Sequence, residues 1–422
     1  MQAQISDNSP YTRFGIGELQ DNNFLHLRHM GGLGSSFIDP YLINIVNPAS
    51  LGSLQSTAFD MSVFNEFSTL SDGENTNTSF NGNLEYISLA FPTSNPINDL
   101  FEQKKRDTNY GMAFTLMPHS IVGYDITNTE TADTLGQIRR NFQGSGGTYK
   151  FMFSQGYKYK NFSAGLNLGY LFGKIRYTRD IVFLDNLNAF SVDYERNYSV
   201  SGFLWNLGFI YSQVLNKSNV DIKKGIQPKV VNIGLRANTN TGFSTNSNII
   251  DLHRNYSSNV VDTVRSVVDV KGKGTLPAEI GIGATYLNGS KLALGVDLSA
   301  ASWANYKNDA NPEELSNTFM LTFGGYIRPN YKSFSYFDRV YYRFGGFYGN
   351  DPRVVNGTQI DNYGLTAGFG LPFVFQKKIS HANLGLTIGR RGTGTDIQET
   401  YYRFTFGFTF NDDEWFIKRK YN

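Results

Sequence analysis

The sequence predicts an all-β fold, an antiparallel transmembrane β-barrel, from three observations. Long stretches alternate large apolar residues with small or polar ones, as in "YYRFTFGFTF", where Phe404, Phe406, Phe408 and Phe410 are separated by Thr405, Gly407 and Thr409. A period of two sends every apolar side chain to one face of a strand. The chain is rich in glycine and aromatics (Gly 43, Tyr 26, Phe 34) yet only 18% charged, with a mean hydropathy of -0.33. No run approaches the ~18–20 consecutive apolar residues that a membrane helix needs, and alternating barrel strands escape such averages.

A chain of 422 residues would by default divide into two soluble domains, but no linker breaks the pattern. The alternative is a soluble β-sandwich, whose hydrated face would carry many Lys, Glu and Thr side chains. Here the second face is Gly, Ser, Asn and Thr, and tyrosines such as Tyr157, Tyr159, Tyr177, Tyr341 and Tyr342 gather toward segment ends, as interfacial girdles would.

Residues 5–56 do not alternate; they carry clustered glycines, prolines, a short helical signal near 24–30 and isolated large apolar residues. Such a segment cannot bury a core of its own and needs a host. Alternation begins near Thr57 and persists. In 161–178, Phe162, Ala164, Leu166, Leu168, Tyr170 and Phe172 face one way and Ser163, Gly165, Asn167, Gly169 and Gly173 the other. Phe203, Trp205, Leu207 and Phe209 repeat this, and Asn288-Gly289 marks a tight hairpin between Ile280–Tyr286 and Leu292–Leu298 strand faces. Roughly fourteen strands follow, near 57–70, 78–92, 108–118, 119–129, 146–159, 161–178, 192–213, 227–240, 259–270, 276–288, 291–306, 315–329, 361–372 and 381–410, with 335–348 a further candidate and two strands in the last span. The stretches 126–144 and 237–266 read as polar, Asn-rich connections.

The chemistry the composition excludes is broad. Cys 0 removes disulfides and thiol nucleophiles. A net charge of +2 carries no nucleic-acid footprint. His26, His29, His119, His253 and His381 form no metal or hydrolase motif, so neither a metal site, a cofactor nor an enzyme is expected. "MQAQIS" reads as the remnant of a signal peptide cleaved near Ala3, or as an added start.

The segment "MGGLG" (residues 30–34), followed by "INIVNPASL" and entry into strands, resembles the FadL family of outer-membrane transporters for long-chain fatty acids and hydrophobic compounds. Over its whole length the chain is similar to a Bacteroidota-type branch of that family, with "SPYTRFGIG" near the start and "WFIKRKY" at the end. The resemblance implies fourteen strands, a hatch (residues 1–56) inside a barrel (57–410), a periplasmic tail (411–422) and residence in the bacterial outer membrane. It also implies passive uptake of a hydrophobic molecule past the hatch, leaving by a lateral gap where a strand kinks.

Gly31, Gly32 and Gly34 match the hatch's glycine-rich approach and Asn47, Pro48 and Ala49 its tripeptide. Glycines permit positive φ and close contact, Pro48 fixes a turn, and Asn47 can satisfy backbone groups. A plug that never moves is the alternative. Phe14, Leu33, Phe37, Ile43 and Ile45 are the candidate contacts to a hydrophobic ligand; no specific cation matches the family's carboxylate receptor.

In the tail, Trp415 and Phe416 stand between acidic residues and Lys418, Arg419 and Lys420, suiting a membrane rim, a periplasmic partner, or contact with the chain's own barrel. The expected partners are outer-membrane lipids or lipopolysaccharide, a hydrophobic small molecule, and outer-membrane or periplasmic proteins. The polar connections and the tail favour a second reading, an accessory or structural subunit of an outer-membrane machine for protein secretion or barrel assembly.

Overall fold

The computed structural model describes residues 9–414 apart from 75, 95, 102, 104–105, 134–135, 187, 221–226, 256 and 396–397. Its first elements are β1 (Glu18–Leu19) and a single helical turn, α1 (Leu25–Arg28). The wall follows in chain order: β2 (Thr57–Ser71), β3 (Thr76–Pro92), β4 (Thr108–Ala132), β5 (Gly136–Tyr159), β6 (Phe162–Phe183) and β7 (Phe190–Val214). Next come β8 (Lys229–Asn238), β9 (Thr241–Asn255), β10 (Val260–Leu276), β11 (Glu279–Asn288), β12 (Leu292–Ala301), β13 (Lys307–Asn308) and β14 (Thr318–Ile327). β15 (Tyr341–Val355), β16 (Thr358–Phe375), β17 (Lys378–Arg391) and β18 (Gln398–Asp412) complete it.

Every pairing between these strands is antiparallel, and β18 pairs with β2, so the sheet closes. β7 pairs with β8 along one half and with β9 along the other, which makes β8 and β9 one strand bent at 239–240. β10 and β11 are likewise one strand bent at 277–278, where Pro277 removes a donor. Counting each bent pair once and setting aside the two-residue β1 and β13, fourteen strands form the wall among the described residues.

The period-two reading of the outer face holds. Phe404 and Phe406 are exposed while Arg403, Thr405 and Thr409 are buried. Phe162, Leu168, Phe203, Phe209, Ile280, Ile282, Leu365 and Leu384 project outward in the same way. A closed wall satisfies its backbone internally, the condition for crossing a bilayer.

Three sequence expectations need correction. Residues 108–118 and 119–129 are not two strands but the single β4, bent by a bulge between Pro118 and Ser120 with no turn between them. The stretches 126–144 and 237–266 are not connections: the β4–β5 ladder continues to Ala132↔Gly136 and β9–β10 to Asn255↔Val260. These hairpins rise on the side away from the barrel's termini, where both faces meet water and alternation gives no signal. Finally, the inward face is not only small and polar, since Asp60, Glu66, Glu85, Lys150, Asp297, Arg343, Arg391 and Arg403 are buried on it.

Candidate functional site: the lumen and the β3–β4 seam

Residues 9–56 pack against the inward-facing residues of the wall. Phe24, Ile43, Ile45, Leu51 and Leu54 share a core with Tyr86, Ala113, Met117 and Met152, and Leu27, Met30, Leu33 and Phe37 share another with Ala293, Tyr326 and Tyr341. The glycines matter where the segment touches the wall. Gly31 has φ +75, and a Cβ there would lie 2.6 Å from the carbonyl oxygens of Gly346 and Phe323. Gly32 also has positive φ (+99), whereas Gly34 is needed for space, a Cβ there falling 2.5 Å from Val46.

The Asn47-Pro48-Ala49 tripeptide opens a short 3-10 turn, Pro48–Ser53, with Pro48 at its first position. The Asn47 carboxamide caps that turn by accepting from the Ala49 N–H at 3.1 Å, and its Nδ2 donates to the carbonyls of Ser35 (2.6 Å), Leu235 (3.2 Å) and Phe209 (3.3 Å). One side chain thus joins the segment to itself and to β7 and β8. Asn167 Nδ2 adds a bond to Ile45 O at 2.7 Å.

Sequence reasoning missed the charged contacts. Arg391 reaches Glu18 at 2.7 Å and Glu399 at 3.6 Å, Arg28 pairs with Glu85 (3.0 Å) and Asp21 (2.8 Å), and Arg403 holds Glu66 at 2.5 Å. The Asp297 carboxylate accepts from the Gly34 and Ser35 N–H groups at 2.8 and 2.6 Å. Near the hairpin side, Arg353 pairs with Asp351 and donates to Tyr11 O at 2.7 Å. Charged residues at inward positions of strands were the available signal, but the partners of Arg391 and Arg403, Glu18 and Glu66, lie more than three hundred positions away.

A cavity of ≈ 380 Å³ lies between the segment and the wall, lined by Glu18, Arg28, Lys150, Arg236, Asp297 and Arg391 among others. Lys150 is buried there and donates to Asn22 Oδ1. Leu33, Phe37, Ile43 and Ile45 sit in packed core rather than on this cavity, while Phe14 borders a much smaller hollow beside Leu315 and Arg353. The tail residues Trp415, Phe416, Lys418, Arg419 and Lys420 lie outside the described residues. Just before them, Lys378 pairs with Asp413 and with Glu414. Among the described residues no group of three or more His, Asp or Glu side chains is arranged to hold a metal.

Among the described residues the shortest seam of the wall lies between β3 and β4. β3 and β4 pair at only six positions, from Ile87↔Leu116 to Pro92↔Gly111. Beyond them β4 bends at Pro118, and β1 takes the place of β3: Glu18↔Ile121, Leu19↔Ser120, and Gln20 N–H to His119 O at 2.9 Å. The luminal segment itself therefore occupies the edge that β4 turns away from β3.

A closed fourteen-stranded wall with an apolar outer face defines a transmembrane β-barrel, and its fold is that of FadL-type channels. The toluene transporter TbuX of Ralstonia pickettii matches with a TM-score of 0.54 at 14% identity, covering 93% of this chain and 99% of that one. A FadL homologue of Pseudomonas aeruginosa gives 0.56 at 13%, covering 94% and 99%, and the toluene transporter TodX of Pseudomonas putida 0.53 at 11%, covering 94% and 99%. TbuX and TodX are toluene transporters, and no enzyme is among these three. None of the curated protein sequences matches this one. The family model described as BamG matches residues 1–422, and the chain belongs to the BamG family.

Proposed function

We propose that this protein is an outer-membrane barrel for passive uptake of a hydrophobic molecule, with residues 1–56 as its hatch and the barrel's termini on the periplasmic side. The molecule leaves the lumen sideways, between β3 and β4, once β1 detaches from β4. The observation that carries this reading is the six-position seam occupied by β1. No covalent chemistry is involved; the molecule partitions from one apolar surface to the next down its gradient. The FadL-type fold supports the substrate class.

The reading is tested by joining Leu19→Cys to Ser120→Cys, register partners in a chain without native cysteine. Uptake of a radiolabelled monoaromatic hydrocarbon into reconstituted vesicles should cease on oxidation and return with reductant. Unchanged uptake by the fully oxidised protein would overturn the route.

A second reading is favoured by the charged cavity and the ion pairs that fasten residues 9–56 to the wall. Here the barrel does not transport and serves as an accessory or structural subunit of an outer-membrane machine, for protein secretion or barrel assembly. Native mass spectrometry after mild extraction separates the two: stoichiometric protein partners support the subunit, and a lone barrel carrying a hydrophobic small molecule supports uptake.

A further inference from the structure

The connection between β14 and β15, residues 328–340, lies on the same side as the barrel's termini, beside the β11–β12 turn, where Arg328 N–H donates to Lys291 O at 2.7 Å. It is a built structure. Asn330 N–H donates to Asp338 O (2.9 Å), Ser333 N–H to Asn330 O (3.2 Å), Ser333 Oγ to Asp338 Oδ2 (2.7 Å) and Lys332 N–H to Asn330 Oδ1 (3.1 Å). This scaffold nevertheless holds Phe334 fully exposed (105%) and Phe337 nearly so (72%), with Tyr331 and Tyr336 also exposed. Two phenylalanines held in water by an ordered turn are an unusual surface, since a free loop would fold such groups away.

Two features say what covers them. The loop continues an apolar face: the strands it joins project Phe323 and Ile327 on one side and Phe344 on the other, all exposed on the wall's outer surface. Its charges are of one dominant sign, Arg328, Lys332 and Arg339 against Asp338. Lys332 lies 5.4 Å from the exposed Tyr331 ring and Arg339 5.8 Å from the exposed Tyr336 ring, whereas Arg328 turns inward, 4.3 Å from the buried Tyr341 ring, with its Nε donating to Ser290 O at 3.1 Å. Apolar tips beneath amphipathic rings and cations suit the boundary between acyl chains and anionic headgroups.

We propose that residues 328–340 form a membrane anchor, with Phe334 and Phe337 inserted into the phospholipid leaflet on the side of the termini and Lys332 and Arg339 on its headgroups. The anchor fixes the barrel's depth and tilt on one flank, independently of whether the lumen conducts.

Because the chain has no cysteine, a single nitroxide can be attached through Ser335→Cys, beside Phe334 and itself exposed. In vesicles of phosphatidylethanolamine and phosphatidylglycerol, collisions with oxygen should exceed those with a water-soluble nickel chelate. A label at Glu74→Cys, on an exposed turn of the opposite side, should give the reverse order. Phe334→Asp with Phe337→Asp should shift the Ser335 label to nickel accessibility while the barrel keeps its heat-modifiable migration. A label open to nickel in the otherwise unsubstituted protein would overturn the proposal. So would protection in native membranes that is missing in pure lipid, which would mean that a protein covers the loop.

Discussion

The hairpin of β2 and β3 meets its two neighbours by different means. On one side β18 and β2 pair at fifteen consecutive positions, from Gln398↔Ser71 to Asp412↔Thr57, and behind that seam Arg403 and Glu66 form a buried ion pair across the two strands. On the other side β3 and β4 share six positions, and β1 from the luminal segment covers the β4 edge beyond them. Chain closure is thus continuous where the first and last wall strands meet and interrupted one hairpin away. The difference teaches that the wall's weak point is no defect of closure. It coincides with the bulge between Pro118 and Ser120, past which β4 leaves β3 while keeping its ladder with β5.

The largest effect should come from locking the short seam. The oxidised Leu19→Cys/Ser120→Cys protein should lose uptake entirely, whereas a link between Asn65→Cys and Phe404→Cys, register partners in the long seam, should leave it intact. Loss in both would erase the functional distinction between the seams.

Next in size is Arg403→Met, which strands the Glu66 carboxylate in a buried site and should cost about 3–5 kcal/mol. Urea titration of the folded band would measure it, and adding Glu66→Met should recover much of the loss. Asn47→Ala removes the cap on Ala49 and leaves the carbonyls of Ser35, Phe209 and Leu235 without that donor. It should loosen residues 9–56 by about 1–3 kcal/mol, read as faster proteolysis within the segment while the wall stays resistant.

The smallest effect concerns pH. Burial pushes the Glu313 carboxyl up to about 7, with Arg13 and Arg353 opposing that rise, and the Gly15 N–H donates to it. Between the ordinary carboxylate value and about 7 the docked state binds more protons than the undocked one. Docking of the segment's first residues on the 309–317 loop should therefore be strongest at acid pH and weaken as pH rises through about 7. Hydrogen exchange at Gly15, corrected for its intrinsic rate, should accelerate across that window, and Glu313→Gln should flatten the dependence.

Much of this architecture is legible in the sequence wherever one strand face meets lipid. Phe404, Phe406, Leu168 and Ile282 must point outward once the period is two, and the failure of residues 5–56 to alternate marks them as a different kind of segment. The hairpins above the membrane were illegible for the same reason: with water on both faces, "ITNTETA" looks like a loop although its backbone is laddered from Ile126 to Ala132. Among the candidate residues, Gly31, Gly32 and Asn47 were legible as conformational positions, because positive φ and capping are local requirements. Lys150 and Arg403 were not, although both stand at inward positions.

What the sequence by itself determined is therefore everything governed by neighbours along the chain: the strand period, the lipid-facing set, the Asn288-Gly289 turn and the Asn47 cap. Only the tertiary structure decided the ion pairs Arg391–Glu18 and Arg403–Glu66, the place of β1 on β4, and the exposure of Phe334. Those depend on which strands the closed wall sets opposite one another. Closure brings together residues more than three hundred positions apart, as with Arg403 and Glu66, and no local pattern encodes that distance.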